Sequence, residues 1–273
     1  MGRTKPRYNL ADVAEYWSQR LARTDPLAAV LTFDAPAIIN EAYHSWELGA
    51  LKTALGSKAR VRLSGKSALD IACGTGRITR LLAESGAKTT AIDLSPAMLT
   101  AGRRKCAGLG VVFARASADD LPFADRSFDI ITCFGLLEHL PRTPRTKCVA
   151  EVARLLRAKG RAYFVVNNAD CIFLNDRVSS VPRAGYHVEL VGLEWLERSA
   201  RSHGGSIAIC AANSGYAVAH YQMNWRHRRS SEFARRQRAT VAVLQQLDHL
   251  IPPDSSLARM LASHFMVEFS LSS

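Results

Sequence analysis

The run from Ser67 to Leu99, SALDIACGTGRITRLLAESGAKTTAIDLSPAML, constrains this chain more than any other stretch. A short apolar segment (Ala68, Leu69, Ile71, Ala72), broken by Asp70, turns sharply through Cys73-Gly74-Thr75-Gly76. A helical pattern follows (Ile78, Leu81, Leu82) and closes at Gly86; a second apolar run, Thr89 to Ile92, ends on Asp93. Strand, glycine turn, helix and strand with a terminal acid make the opening unit of a doubly wound α/β sheet. Such a turn suits a nucleoside. Glycine lets backbone N–H groups approach a ligand with no Cβ in the way, and the helix N-terminus adds the positive end of its dipole. An acid at the end of the second strand accepts hydrogen bonds from ribose hydroxyls.

The dinucleotide fingerprint Gly-x-Gly-x-x-Gly is incomplete, since Gly74-Thr75-Gly76 is followed by Arg77, Ile78 and Thr79. A phosphate or nicotinamide-dinucleotide loop is therefore the alternative rather than the reading. Taken as a unit, Asp70-x-Ala72-Cys73-Gly74-Thr75-Gly76 with Asp93 and Ser95-Pro96-x-Met98-Leu99 resembles the first two motifs of class I S-adenosylmethionine-dependent methyltransferases. Further on, Ser117-Ala118-Asp119-Asp120-Leu121-Pro122-Phe123 resembles that family's adenine-binding turn, and Leu137-Glu138-His139-Leu140 resembles the segment after its fourth strand. Ser117 stands where the family usually has an aspartate, with Asp119 the substitute acceptor two residues on. The composite is most similar to the small-molecule branch, which includes ubiquinone, menaquinone and secondary-metabolite enzymes.

The resemblance implies a seven-stranded, mostly parallel sheet with an antiparallel last strand. Strands are expected at Val111–Ala114, Ile130–Cys133, Ala162–Val166, Ser206–Ala212 and His264–Leu271, with Arg157–Arg161 a turn. Residues 1–60 are expected to be a helical N-terminal cap, and 61–273 the cofactor-binding core, interrupted at 214–262 by a basic helical insertion. Within the cap, Leu10, Val13, Trp17 and Leu21 recur at helical steps, Asp25-Pro26 marks a break, and Asp34-Ala35-Pro36 reads as a helix start. Tyr16, Trp17, Tyr43 and Trp46 are candidate walls of a substrate pocket, or plain anchors of the helices. An amphipathic helix is expected over 188–203, stopped by Gly204-Gly205.

A chain of 273 residues with 48% hydrophobic content can bury a full core. No apolar run is long enough to span a membrane, and six cysteines without Cys-x-x-Cys spacing argue for a reducing, cytoplasmic setting and against a metal site. The formal net charge of +12 suits nucleic acid, an anionic small molecule or no specific partner. Its densest run, Arg226, Arg228, Arg229, Arg235, Arg236 and Arg238, has only Trp225 and Phe233 as aromatic company. An acidic metabolite therefore ranks above RNA, which normally calls for exposed aromatics.

Methyl transfer from a sulfonium needs alignment and a dry site more than a nucleophile; proximity accounts for roughly 7–11 kcal/mol in favourable cases. The resemblance implies that Asp70 organises the turn and the cofactor's amino end. It assigns Ala72, Cys73, Gly74, Thr75 and Gly76 to backbone contacts and Asp93 to the ribose. Leu94 and Met98 pack on the adenine, while Ser117, Ala118 and Asp119 read its edge. Cys133 and Phe134 line the route to the methyl group, and His139 is the candidate base for an acceptor that must shed a proton. The implied activity is methyl transfer from S-adenosylmethionine to O, N or C of a small molecule. An RNA or protein methyltransferase, and a non-catalytic cofactor-binding subunit, are the alternatives. No segment specifies an oligomeric state.

Overall fold

The computed structural model describes residues 8–32, 35–56, 62–172, 186–215, 240–246 and 250–272. The arginine cluster at 226–238 and Asp34 lie outside the described residues.

Seven strands form one sheet: β1 (Ser67–Ile71), β2 (Lys88–Asp93), β3 (Val112–Arg115), β4 (Phe128–Phe134), β5 (Leu156–Asn167), β6 (Gly205–Ala212) and β7 (His264–Leu271). Their order is β3-β2-β1-β4-β5-β7-β6. The first five run parallel, and β7 lies antiparallel between β5 and β6. The expected doubly wound sheet with an antiparallel last strand is thus observed. Order reverses between β1 and β4, which opens a crevice at the carboxyl ends of those strands.

Alternation along the strands sorts side chains onto two faces. Phe164, Val166, Phe265, Val267 and Phe269 join one apolar cluster, while Tyr163, Val165 and Met266 join another on the opposite face. The first cluster is covered by α6 (Arg142–Leu155), α7 (Leu193–Ser202) and α8 (Ser256–Leu261), the second by α3 (Ala37–Ala54) and α4 (Arg77–Glu84). α5 (Pro96–Lys105) packs beside β2 and β3. Five of the six cysteines are buried and all are free, as expected of small hydrophobes.

Two local expectations change. Arg157–Arg161 is not a turn before β5 but part of it: Phe128 pairs with Leu156 while Ile130 pairs with Arg161, so the extra residues form a bulge. The amphipathic pattern at 188–203 becomes helical only from Leu193, where Gly192 occupies the N-cap. Val191 is buried without being helical, so its apolar character counted toward the wrong element.

The N-terminal helices are placed by capping and by one arginine. Asn9 Oδ1 accepts from Ala11 N at 2.8 Å at the head of α1 (Leu10–Arg23). The Asp25-Pro26 break is itself a start: Asp25 Oδ1 accepts from Leu27 N and Ala28 N, with proline inside α2 (Pro26–Val30). Arg20, buried, donates through Nε to Ala29 O and through Nη2 to Leu31 O, both at 2.7 Å, which ties α1 to α2. Ser18 Oγ meets Ser95 Oγ at 2.9 Å and docks α1 on the head of α5.

Candidate functional site

The turn after β1 needs backbone that ordinary residues avoid. Gly74 and Gly76 take φ of 52° and 81°, and Ala72, a non-glycine, takes 55°. Left-handed φ at a residue with a Cβ is strain held by the surroundings, and such strain gathers at binding sites. Here Cys73 N donates to Ile92 O at 2.8 Å, and Gly76 N donates to Cys73 O at 2.9 Å, which closes the turn against β2. The close approach that a third glycine would have permitted is made elsewhere. A Cβ on Gly76 would lie 3.0 Å from Gly102 Cα, and one on Gly102 would lie 2.8 Å from Phe113. Glycine backbones of α5 and of the turn therefore meet directly.

Two acids brace this turn. Asp70 is buried and accepts from Thr79 Oγ1 at 2.6 Å and Thr132 Oγ1 at 2.8 Å, linking β1 to α4 and β4; burial pushes its carboxyl up to about 6. Asp93 accepts from Gly74 N at 2.9 Å through Oδ2 and from Ser95 N at 2.8 Å through Oδ1. Burial raises its pKa and these backbone bonds oppose the rise.

A cleft of about 960 Å³, open mouth included, lies over the turn. Of the residues singled out from sequence, Asp70, Ala72, Cys73, Gly74, Asp93, Leu94, Met98, Ser117, Ala118, Phe134 and His139 line it. Thr75, Gly76, Asp119 and Cys133 do not. Thr75 Oγ1 is buried with no hydrogen-bond partner, and Gly76 is turned to α5. Asp119 accepts a short hydrogen bond from Ser117 Oγ instead of facing the cleft. Cys133 is 1% exposed, within the core on the face of β4 opposite Phe134. The strand's alternation decides that last point: adjacent residues cannot both face the cleft.

Among the candidate wall aromatics, Trp17 lines the cleft and meets His139 edge-on, ring centroids 5.1 Å apart. Tyr16 stacks on Tyr186 at 4.8 Å, next to that ring but off the wall. Tyr43 and Trp46 stack on each other at 5.5 Å under α3, so anchoring is their role. Tyr8, Val30 and Arg77 also line the cleft and were not singled out. Val30 presses on the turn, its Cγ1 2.8 Å from where a Gly74 Cβ would stand. Arg77 is held by Glu47 at 2.5 Å and by His44 Nδ1 at 2.8 Å, both on α3. No local signal marks it, because its partners lie on a helix thirty residues upstream.

His139 sits in the 3₁₀ turn Leu137–His139 after β4. Its Nδ1 lies 2.9 Å from the His187 carbonyl oxygen, which can only accept, so Nδ1 carries the proton and Nε2 keeps its lone pair. Burial lowers the ring to about 4, so it is neutral at physiological pH. Among the described residues no group of His, Cys, Asp and Glu has the arrangement of a metal site.

S-Adenosylmethionine fits what is present. The strained turn offers bare backbone, Asp93 offers carboxylate beside it, and Leu94 and Met98 give an apolar bed next to Ser117 and Ala118. Asp70, Asp93 and the neutral groups beside Arg77 suit a ligand carrying positive sulfur and an amino acid end.

Residues 68–160 match the family model described as a methyltransferase domain. The ubiquinone biosynthesis O-methyltransferase of Methylococcus capsulatus is 32% identical over 144 residues, 52% of this chain and 55% of the relative. The demethylmenaquinone methyltransferase of Clavibacter sepedonicus is 44% identical over 107 residues, 38% of this chain and 42% of that protein. The chain thus spans about half the length of the curated relatives it matches, or less. Among solved structures, magnesium protoporphyrin IX methyltransferase from Synechocystis PCC 6803, with bound S-adenosylhomocysteine, superposes with TM-score 0.57. That match has 18% identity and covers 74% of this chain and 94% of that one, a likeness of fold. No helix among the described residues is long and apolar enough to cross a membrane. Residues 68–160 of this chain thus match a methyltransferase domain, and the sheet order β3-β2-β1-β4-β5-β7-β6 carries them.

Proposed function

We propose that this protein transfers a methyl group from S-adenosylmethionine to O, N or C of a small molecule, with a hydroxylated ring of the quinone-precursor kind as its acceptor. The observation that carries the reading is one cleft holding the glycine turn, Asp93 and the neutral ring of His139. The relatives named for ubiquinone and menaquinone biosynthesis support the acceptor class.

When bound, S-adenosylmethionine supplies a methyl group already activated by positive sulfur. The chain's residues bind, orient and exclude water. Ala72 to Gly74 present backbone, Asp93 holds the ribose, and Leu94 and Met98 flank the adenine, with Ser117 and Ala118 at its edge. Thr75, Gly76 and Asp119 act one step back by shaping the turn and orienting Ser117, and Cys133 only fills the core. Trp17, Val13 and Val30 roof the cleft and keep it dry, which strengthens the electrostatics inside. The lone pair of His139 Nε2 accepts from the acceptor's hydroxyl and relieves it of its proton. The charge of the run from Arg226 to Arg238 favours an acidic acceptor.

Calorimetric titration with S-adenosylhomocysteine, followed by a methyl-release assay on hydroxylated rings, tests the proposal. Micromolar binding and turnover support it; binding of a nicotinamide dinucleotide in preference would overturn it. The high positive charge favours a second reading, an RNA methyltransferase, whose signature is activity on RNA that falls steeply with salt.

A further inference from the structure

Beside the cleft lies an acid that the cofactor reading does not use. Gly135, just past β4, lines the cleft with φ of 63°, and among the described residues the side chain within 4 Å of where its Cβ would stand is Glu138, whose Oε1 is at 3.8 Å. Glu138 is 6% exposed, and its Oε2 is buried with no hydrogen-bond partner. Glu138 is not itself a wall of the cleft, but its carboxyl lies beside Gly135, which is, and it neighbours His139 in sequence.

Asn167 repeats the pattern one strand away. It ends β5, which pairs with β4 through Phe134 and Val165, and its Oδ1 is also buried without a partner. Two acceptor oxygens thus wait at neighbouring strand ends. A buried acceptor left unpaired is costly, and natural proteins keep one where something arrives to pair it.

We infer that Glu138, reached past Gly135, binds a hydrogen-bond donor on the methyl acceptor, a ring hydroxyl or a protonated amine. The inference rests on the methyl-transfer reading for the identity of that ligand as acceptor. It assigns recognition to Glu138 and leaves proton removal to His139. Burial raises the Glu138 carboxyl to about 7, Arg145 opposes the rise, and Glu47 on α3 adds to it.

The test compares catechol with 1,2-dimethoxybenzene, the same ring without donors, on the full chain with and without S-adenosylhomocysteine. Wild type is expected to bind catechol at least tenfold more tightly, and Glu138→Met to cut that preference at least threefold while holding the S-adenosylhomocysteine Kd within twofold. Because the change removes an unsatisfied buried carboxyl, Glu138→Met is also expected to raise Tm by about 2–4 °C. Glu138→Gln, which retains one oxygen, keeps part of the preference. No preference in wild type, binding of neither ring, or a preference undiminished in Glu138→Met overturns the inference; so does a lowered Tm with unchanged catechol affinity. Failure to bind S-adenosylhomocysteine with the catechol preference intact would instead sink the methyl-transfer reading and leave the Glu138 site standing.

Discussion

Replacing Asp93 with asparagine separates the two tasks assigned to this carboxylate. In the structure it takes Gly74 N–H on one oxygen at 2.9 Å and Ser95 N–H on the other at 2.8 Å. An amide has a single oxygen, so one backbone donor keeps its acceptor while the other faces an NH₂ group. A hydrogen bond to a charged group contributes about 1.5–3 kcal/mol, so Asp93→Asn should lower stability by about that much. Ribose binding loses a charged acceptor in the same exchange. At 1.4 kcal/mol per tenfold, the S-adenosylhomocysteine Kd should rise by roughly 10- to 150-fold. Urea denaturation reads the first effect and calorimetry the second, on the same preparation. A folded Asp93→Asn protein with wild-type affinity would refute the assignment of Asp93 to the cofactor. Wild-type stability would refute the claim that its two oxygens brace the turn.

The remaining predictions concern the frame around the cleft. Arg77→Met leaves the Glu47 carboxylate, 1% exposed, without its cation and should cost about 3–5 kcal/mol in urea; Glu47→Met combined with it should recover most of the loss. Gly76→Ala puts a Cβ at φ of 81° and 3.0 Å from the Gly102 backbone, so it should destabilise by about 2–4 kcal/mol, and a near-neutral result would show that the turn relaxes. His139 titrates near 4 when folded and near 6.5 when unfolded, so the unfolded chain binds more protons between those values. Its contribution is present above pH 6.5 and is lost as pH falls toward 4; His139→Ala should therefore show a shallower fall in Tm over that window than wild type. The same variant should lower kcat on a hydroxylated ring with little change in S-adenosylhomocysteine affinity.

The opening unit could be read from sequence because its information is local. Gly74 and Gly76 are needed for left-handed backbone, Asp93 follows from the strand that ends on it, and Ser95-Pro96 starts α5 with its own cap. Every strand was placed, to within a few residues at each end except the start of β5, which lies six residues earlier than expected. Boundaries slipped where a residue's burial came from a neighbour rather than its own element, as at Val191 and across the bulge at 157–161.

Which of the motif residues line the cleft was decided by packing. Cys133 and Phe134 are adjacent in sequence and lie on opposite faces of β4, and Asp119 was drawn away by Ser117. Arg77 is held in the cleft wall by Glu47, carried to it by α3, and Glu138 is brought beside the cleft-lining Gly135 by the turn after β4. Sequence alone fixes what depends on a few consecutive residues: backbone that only glycine adopts readily, caps, and the alternation of strands. Contacts between residues far apart in the chain depend on how helices and strands stack, and stacking is decided by the whole core at once.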